Sequence, residues 1–133
     1  MMYSGVPNML STFGYINASW TLRADLNAEY LCRVINHMDD SGLCQATPTL
    51  RSGDHNMPAR PWVDDFSSGY MQRSMHILPK QGDQEPWLNA QNFKKDKKML
   101  RKDPLEDGVL LFSNPATTKQ TLDRDQQGLL AAE

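Results

Sequence analysis

The residues best suited to chemistry in this chain are Asn17, Ala18, Ser19, Trp20 and Thr21, which lie between two contrasting stretches. Before them, Asn8 to Tyr15 reads as a short, partly apolar strand preceded by the turn residues Gly5-Val6-Pro7. After them, no proline or glycine occurs from Ser19 to Met38. A strand that stops at Gly14, a turn of small and amide residues, and a helix start together present unpaired backbone N–H groups. The helix macrodipole adds partial positive charge at the same end, so the turn suits an electron-rich partner. Asn17 and Ser19 are both natural N-cap residues.

Other chemistry-bearing residues do not assemble into a site in the sequence. His37, His55 and His76 have no HxxxH or HxH partner, so no metal site is expected. His37 falls in the last turn of the helix, where its ring suits the negative end of the dipole. Asp39-Asp40 and Asp64-Asp65 are adjacent pairs whose side chains diverge, which suits a helix stop and a loop rather than an acid–base couple. No GxSxG nucleophile turn is present. No catalytic residue is therefore assigned. Phe93 to Lys102 is a basic stretch interrupted by Asp96 and reads as a solvated helix face.

The elements that must position the turn follow from periodicity. Trp20, Ala24, Leu31, Val34, Ile35 and Met38 recur at helical spacing, with Leu22, Leu26 and Tyr30 widening the stripe. Asp39-Asp40-Ser41-Gly42 ends this helix, with Gly42 as the residue beyond it. Leu43 to Phe66 loses periodicity and reads as a long loop. A short helix capped by Ser67 or Ser68 reaches Ile77 before Pro79, and Asn89 caps a third helix to Lys102. Val109 to Phe112 is a short strand after the Asp107-Gly108 turn. Residues 114–133 are small, polar and charged and are expected to be disordered. The fold class is thus an α/β fragment. It comprises one strand-turn-helix unit, a long loop, two shorter helices and a tail. A strand feeding so wide an apolar helix face expects neighbouring strands that this sequence does not supply.

Composition excludes several function classes. With 14 basic against 16 acidic residues, the charge gives no pull toward nucleic acid. No apolar run approaches the ~20 residues of a membrane span, and Met1 to Pro7 has neither a basic n-region nor an apolar h-region, so a secretory signal is not expected. Cys32 and Cys44 fit no zinc or disulfide framework and suit a reducing cytoplasm.

Beyond the turn, a series of rare-residue matches runs in order along the chain. Ser4-Gly5-Val6-Pro7-Asn8 and Phe13-Gly14-Tyr15 lead into Asn17-Ala18-Ser19-Trp20-Thr21-Leu22. Met57-Pro58-Ala59-Arg60-Pro61-Trp62 and Phe66-Ser67-Ser68-Gly69-Tyr70-Met71-Gln72-Arg73 follow. Pro79-Lys80-Gln81-Gly82, Pro86-Trp87 and Glu106-Asp107-Gly108-Val109-Leu110 extend the match to about residue 113. In these features the chain resembles the C-terminal portion of the flavin-dependent Baeyer–Villiger monooxygenases, in particular the ethionamide-activating type.

The resemblance implies that residues 1–40 are the last strand and helix of an FAD-binding Rossmann-type domain, and 41–113 a C-terminal loop and helix extension. It implies that Asn17, Ala18 and Ser19 bind the cofactor at the flavin ring and that Trp20 and Thr21 line the substrate side. It also implies FAD and NADPH in the intact enzyme, and a small organic substrate: a ketone, sulfide or thioamide. The family's two GxGxxG turns, its FxGxxxHxxxW fingerprint and its active-site arginine have no counterpart here: no GxG occurs in the sequence, and none of Arg23, Arg33, Arg60 and Arg73 matches that arginine. The expectation is a chain that is incomplete, and inactive, without an upstream nucleotide-binding part; an in-frame GxGxxG stretch upstream would make Met1 an internal start. A competing expectation is a non-enzymatic interaction module or an inert truncated gene product.

Overall fold

A computed structural model describes residues 2–64 and 67–115 of the 133. The dominant element is helix α1, Trp20–Ser41. Its end is the one the sequence expects, with Gly42 in the left-handed conformation at φ 64°. There the Leu43 N–H reaches back to the Met38 carbonyl at 2.9 Å, closing the last turn. Glycine adopts this backbone without the Cβ clash that other residues meet.

Helix α1 is followed by strand β1, Gln45–Pro48, a short 3₁₀ turn at Ser52–Asp54, helix α2, Gly69–Ser74, helix α3, Phe93–Lys102, and strand β2, Leu110–Ser113. The two strands pair antiparallel, with Ala46 opposite Phe112 and Pro48 opposite Leu110. Strand β2 is the Val109–Phe112 strand of the sequence, shifted by one residue. Strand β1 lies inside the stretch read as loop.

Three expectations are corrected, the third, on Asp96, with the contacts of α3 below. Asn8 to Tyr15 is not a strand: it runs as irregular backbone with no ladder. Its polar groups are satisfied piecemeal, the Tyr3 hydroxyl lying 2.7 Å from Ser11 Oγ and Asn27 Nδ2 donating to Thr12 Oγ1 at 3.1 Å. Just upstream, the chain covers the outer edge of β1. The N–H groups of Gly5 and Asn8 donate to the Pro48 and Ala46 carbonyls at 2.7 and 2.9 Å. The second correction concerns the cap of α3, which is Asn92 rather than Asn89. Its Oδ1 accepts from the N–H groups of Lys94 and Lys95.

Two apolar clusters hold the fold. Val34, Ala46 and Leu110 are buried where α1 meets the sheet, with Tyr30, Met38 and Phe112 against them. Trp62, Val63 and Met71 form the second, joined by Tyr3, Phe13 and Met75. The apolar stripe of α1 divides accordingly. Leu26 and Val34 are buried, while Trp20, Leu31 and Ile35 remain exposed. The described part of the expected tail is Asn114 and Pro115, and residues 116–133 lie outside the described residues.

Polar groups fasten α1 to α3. Asp96, expected on a solvated face, is buried and pairs with the equally buried Arg23, and the Tyr15 hydroxyl donates to the same carboxylate at 2.7 Å. Next to Val34, Arg33 donates to the Leu100 and Asp103 carbonyls at 2.5 and 2.8 Å. A guanidinium there satisfies carbonyls that the end of α3 leaves open and meets the negative end of its dipole.

Candidate functional site

Residues 16–18 bend sharply and Ser19 becomes the N-cap of α1. The turn from Ile16 to Leu22 is solvent-exposed throughout, whereas Gly14 and Tyr15 before it and Arg23 after it are buried. The chain therefore anchors both ends of the turn and leaves its middle open.

Gly14 explains part of this geometry. The indole of Trp20 lies directly over its α-carbon, in the space a Cβ would occupy. Only glycine permits that approach. Trp20 is thus held on one side and still 52% exposed on the other, a wall rather than a core residue.

The start of α1 is not closed by its own side chains. Ser19 makes no capping bond to the helix. Its hydroxyl instead lies 2.8 Å from Thr21 Oγ1. No acidic residue occupies the first turn. Asn17, the other N-cap candidate, also faces elsewhere, with Nδ2 donating to the Gln91 carbonyl at 3.3 Å. The positive end of the dipole is therefore unanswered by side chains and faces solvent.

The turn is positioned from the far end of the chain, through residues that sequence reasoning missed. Gln91 accepts the Ile16 N–H at 2.9 Å and donates to Asn89 Oδ1 at 3.1 Å. Asn89 in turn donates to the Trp62 carbonyl at 3.1 Å, and its N–H meets Gln81 Oε1 at 2.7 Å. Gln81 reaches Asp64 at 3.3 Å, and Asp64 pairs with Arg60 at 2.7 Å. The segments Arg60–Trp62 and Gln81–Gly82 are among those that carried the resemblance, and they meet here as a scaffold for the turn. Gln91 itself has a φ of 48°, an uncommon backbone for a residue other than glycine. A polar residue in a loop gives no such warning in sequence.

The titratable groups nearby have structural causes. Burial, with the Asp96 bond added, pushes the Tyr15 hydroxyl up to about 12. Arg51 and the Trp87 indole N–H, both bonded to Asp54, pull that carboxyl down to about 2. Neither group belongs to the turn. His37, expected to act on the helix dipole, sits between Glu106 Oε1 at 3.1 Å and the Phe112 ring, whose centroid is 4.5 Å away. Both cysteines are free and exposed.

The chain is 48% identical over 113 residues to the FAD-containing monooxygenase EthA of Mycolicibacterium smegmatis, covering 85% of this chain and 22% of that protein. It is 45% identical over 116 residues to the probable FAD-binding monooxygenase AlmA of an Acinetobacter species, covering 84% of this chain and 22% of that one. A putative FAD-containing monooxygenase of Mycobacterium tuberculosis, MymA, is 41% identical over 121 residues, with 87% and 24% covered. No family model matches the chain, and no solved structure matches it. The chain spans about a fifth of the length of these curated relatives, and over that span it is homologous to the C-terminal portion of FAD-containing monooxygenases.

Proposed function

We propose that this chain serves as the flavin-edge and substrate-wall portion of an FAD- and NADPH-dependent monooxygenase of the Baeyer–Villiger type. Such an enzyme oxygenates small ketones, sulfides or thioamides in the cytoplasm. In this reading α1 is the last helix of a Rossmann-type FAD domain whose sheet and glycine turns come from an upstream part. Residues 1–40 belong to that domain, and residues 41–113 form an extension that braces it.

The observation that carries the reading is the exposed, side-chain-free start of α1, within a chain whose relatives are named for FAD. Backbone N–H groups at Ala18, Ser19 and Trp20, with the Asn17 amide beside them, suit the electron-rich pyrimidine edge of a flavin. The residues present do not suit the adenosine pyrophosphate, which calls for a glycine turn at a helix start. When bound, FAD supplies the redox chemistry, accepting hydride from NADPH and activating O₂.

The chain's own residues orient and exclude. Trp20, seated on Gly14, and Thr21 form a wall that shields the ring from water. Gln91 and Asn89 hold the turn at its place. The exposed stripe Trp20, Leu31 and Ile35 supplies apolar surface for the upstream part to cover.

Co-expression tests this reading. The chain alone is expected to bind FAD no tighter than the high-micromolar range and to purify colourless. Expressed with the upstream four-fifths of a relative, it is expected to co-purify with it as a yellow complex. Submicromolar FAD binding by the chain alone, or a complement whose flavin content ignores the chain, contradicts the proposal.

A further inference from the structure

Helix α2 and the turn that follows it carry the two most exposed large apolar side chains among the described residues. Tyr70 is 61% exposed and Ile77 is 73% exposed. Packing on the opposite side explains why. Met71, Met75 and Leu78, at i, i+4 and i+7, belong to the Trp62–Val63 cluster. The Ile77 N–H donates to the Ser74 carbonyl at 3.0 Å, which continues the winding to Ile77. Tyr70, Arg73 and Ile77, at i, i+3 and i+7, are thereby left on the outside.

The charges on this face are unanswered. Arg73 folds back along α2, its Nη1 3.4 Å from where a Cβ on Gly69 would sit. It meets no carboxylate among the described residues. Lys80 is exposed, and its Nζ donates only to the Met75 carbonyl at 3.2 Å. No acidic residue occurs from Ser67 to Gly82, and Asp64 before them is already paired with Arg60 at 2.7 Å.

Apolar tips among unpaired cations call for a partner that is apolar beneath and anionic at its surface. Tyr70, Arg73 and Ile77 line neither of two cavities of about 290 and 270 Å³, so they project outward rather than enclose a ligand. A folded protein partner would have to supply pockets shaped for both tips. A lipid interface needs none: it admits tyrosine and isoleucine at headgroup depth and sets anionic phosphates beside arginine and lysine. The net charge of −2 does not cancel this local field, because screening confines each charge to about 8–10 Å. The other exposed apolar face, Trp20, Leu31 and Ile35 on α1, shares its helix with exposed Asp25, Asp39 and Asp40, which anionic lipid repels. The lysines of α3 have charge but no large apolar side chain exposed among them.

We infer that Tyr70, Arg73 and Ile77, with Lys80 beside them, form a docking surface for anionic lipid headgroups, which holds the chain at a membrane surface without crossing it. The inference goes beyond the proposed flavin role and does not depend on it.

The test is flotation of the full chain with vesicles of phosphatidylcholine alone and of phosphatidylcholine mixed equally with phosphatidylglycerol. The chain is expected to float with the mixed vesicles, to stay behind with the neutral ones, and to be released by high salt. Tyr70→Ser with Ile77→Ser is expected to weaken the mixed-vesicle partition by at least roughly tenfold. Arg73→Gln with Lys80→Gln is expected to abolish the preference for phosphatidylglycerol. Leu111→Ser, which removes an exposed apolar side chain elsewhere, and Lys97→Gln with Lys98→Gln on α3 are expected to change nothing. A wild-type chain that binds neither vesicle, which would leave the face to an acidic protein partner, overturns the inference. So does equal binding to both vesicles, or binding lost with the α3 lysines and kept without Tyr70 and Ile77. The substituted side chains are all exposed, and none of these results bears on flavin.

Discussion

Arg23 and Asp96, seventy-three residues apart in sequence, form a nearly solvent-free ion pair between α1 and α3, and Tyr15 donates to the same carboxylate. Two desolvated charges are tolerable together and expensive apart. The pair ties the helix that starts at the candidate turn to the extension behind it, so the turn's position depends on a residue far downstream.

Asp96→Ala is accordingly expected to destabilise the chain by about 3–5 kcal/mol, because it strands a buried guanidinium. The paired change Arg23→Met with Asp96→Leu is expected to recover most of that loss. Urea unfolding of the two variants beside the wild type checks both. If Asp96→Ala costs no more than an exposed substitution, the burial of the pair is wrong.

Stability at high pH is expected to report on Tyr15. Its folded pKa is raised to about 12 from the ordinary 10, so the neutral form is the one folding favours. The contribution is intact below pH 10 and is lost as pH rises from 10 to about 12. Tyr15→Phe is expected to flatten that part of the stability curve, measured by denaturant midpoint against pH.

Asp54 gives the opposite sign at the acid end. Its folded pKa is lowered to about 2, so the ionised form is the favoured one. The contribution is intact above the ordinary carboxylate range and is lost as pH falls from about 4 to about 2. Trp87→Phe, which removes one of the two donors to Asp54, is expected to shift this acid loss toward higher pH, and Trp62 fluorescence can follow it.

Arg33→Ala is expected to cost about 1–3 kcal/mol through the lost charge-assisted bonds to the end of α3. Lys97→Ala, on the exposed side of the same helix, is expected to stay within ~0.5 kcal/mol. Thermal melts of the two variants separate a helix end held by tertiary contact from one that holds itself.

Helix α1 and its Gly42 stop were legible because twenty residues without proline or glycine carry a helical period on their own. The turn was legible for the same reason, as the place where that period begins. Strand β1 was not, since Gln45-Ala46-Thr47-Pro48 has no apolar alternation and exists only by pairing with β2. The reverse error at Asn8 to Tyr15 has a matching cause. Those residues have strand character but no ladder partner among the described residues, and side chains tie the segment down instead, Ser11 to Tyr3 and Thr12 to Asn27. Asp96 was misread because its neighbours are lysines. Nothing in that run signals an arginine on another helix. The support from Gln91 and Asn89 was invisible because it rests on long-range hydrogen bonds between loops.

The central claim, that the turn from Asn17 to Thr21 faces the flavin and guards its substrate side, is tested most directly by one measurement. It is the coupling of NADPH consumption to product formation in an assembled enzyme that carries Trp20→Ala or Asn17→Leu. Trp20→Ala is expected to raise uncoupled NADPH use and alter substrate range, since it opens the wall over Gly14. Asn17→Leu is expected to shift the flavin absorbance spectrum by removing a polar group beside the open start of α1. Unchanged coupling and an unchanged flavin spectrum in both variants, with only a lowered melting temperature, would contradict the account and leave the turn a purely structural connection.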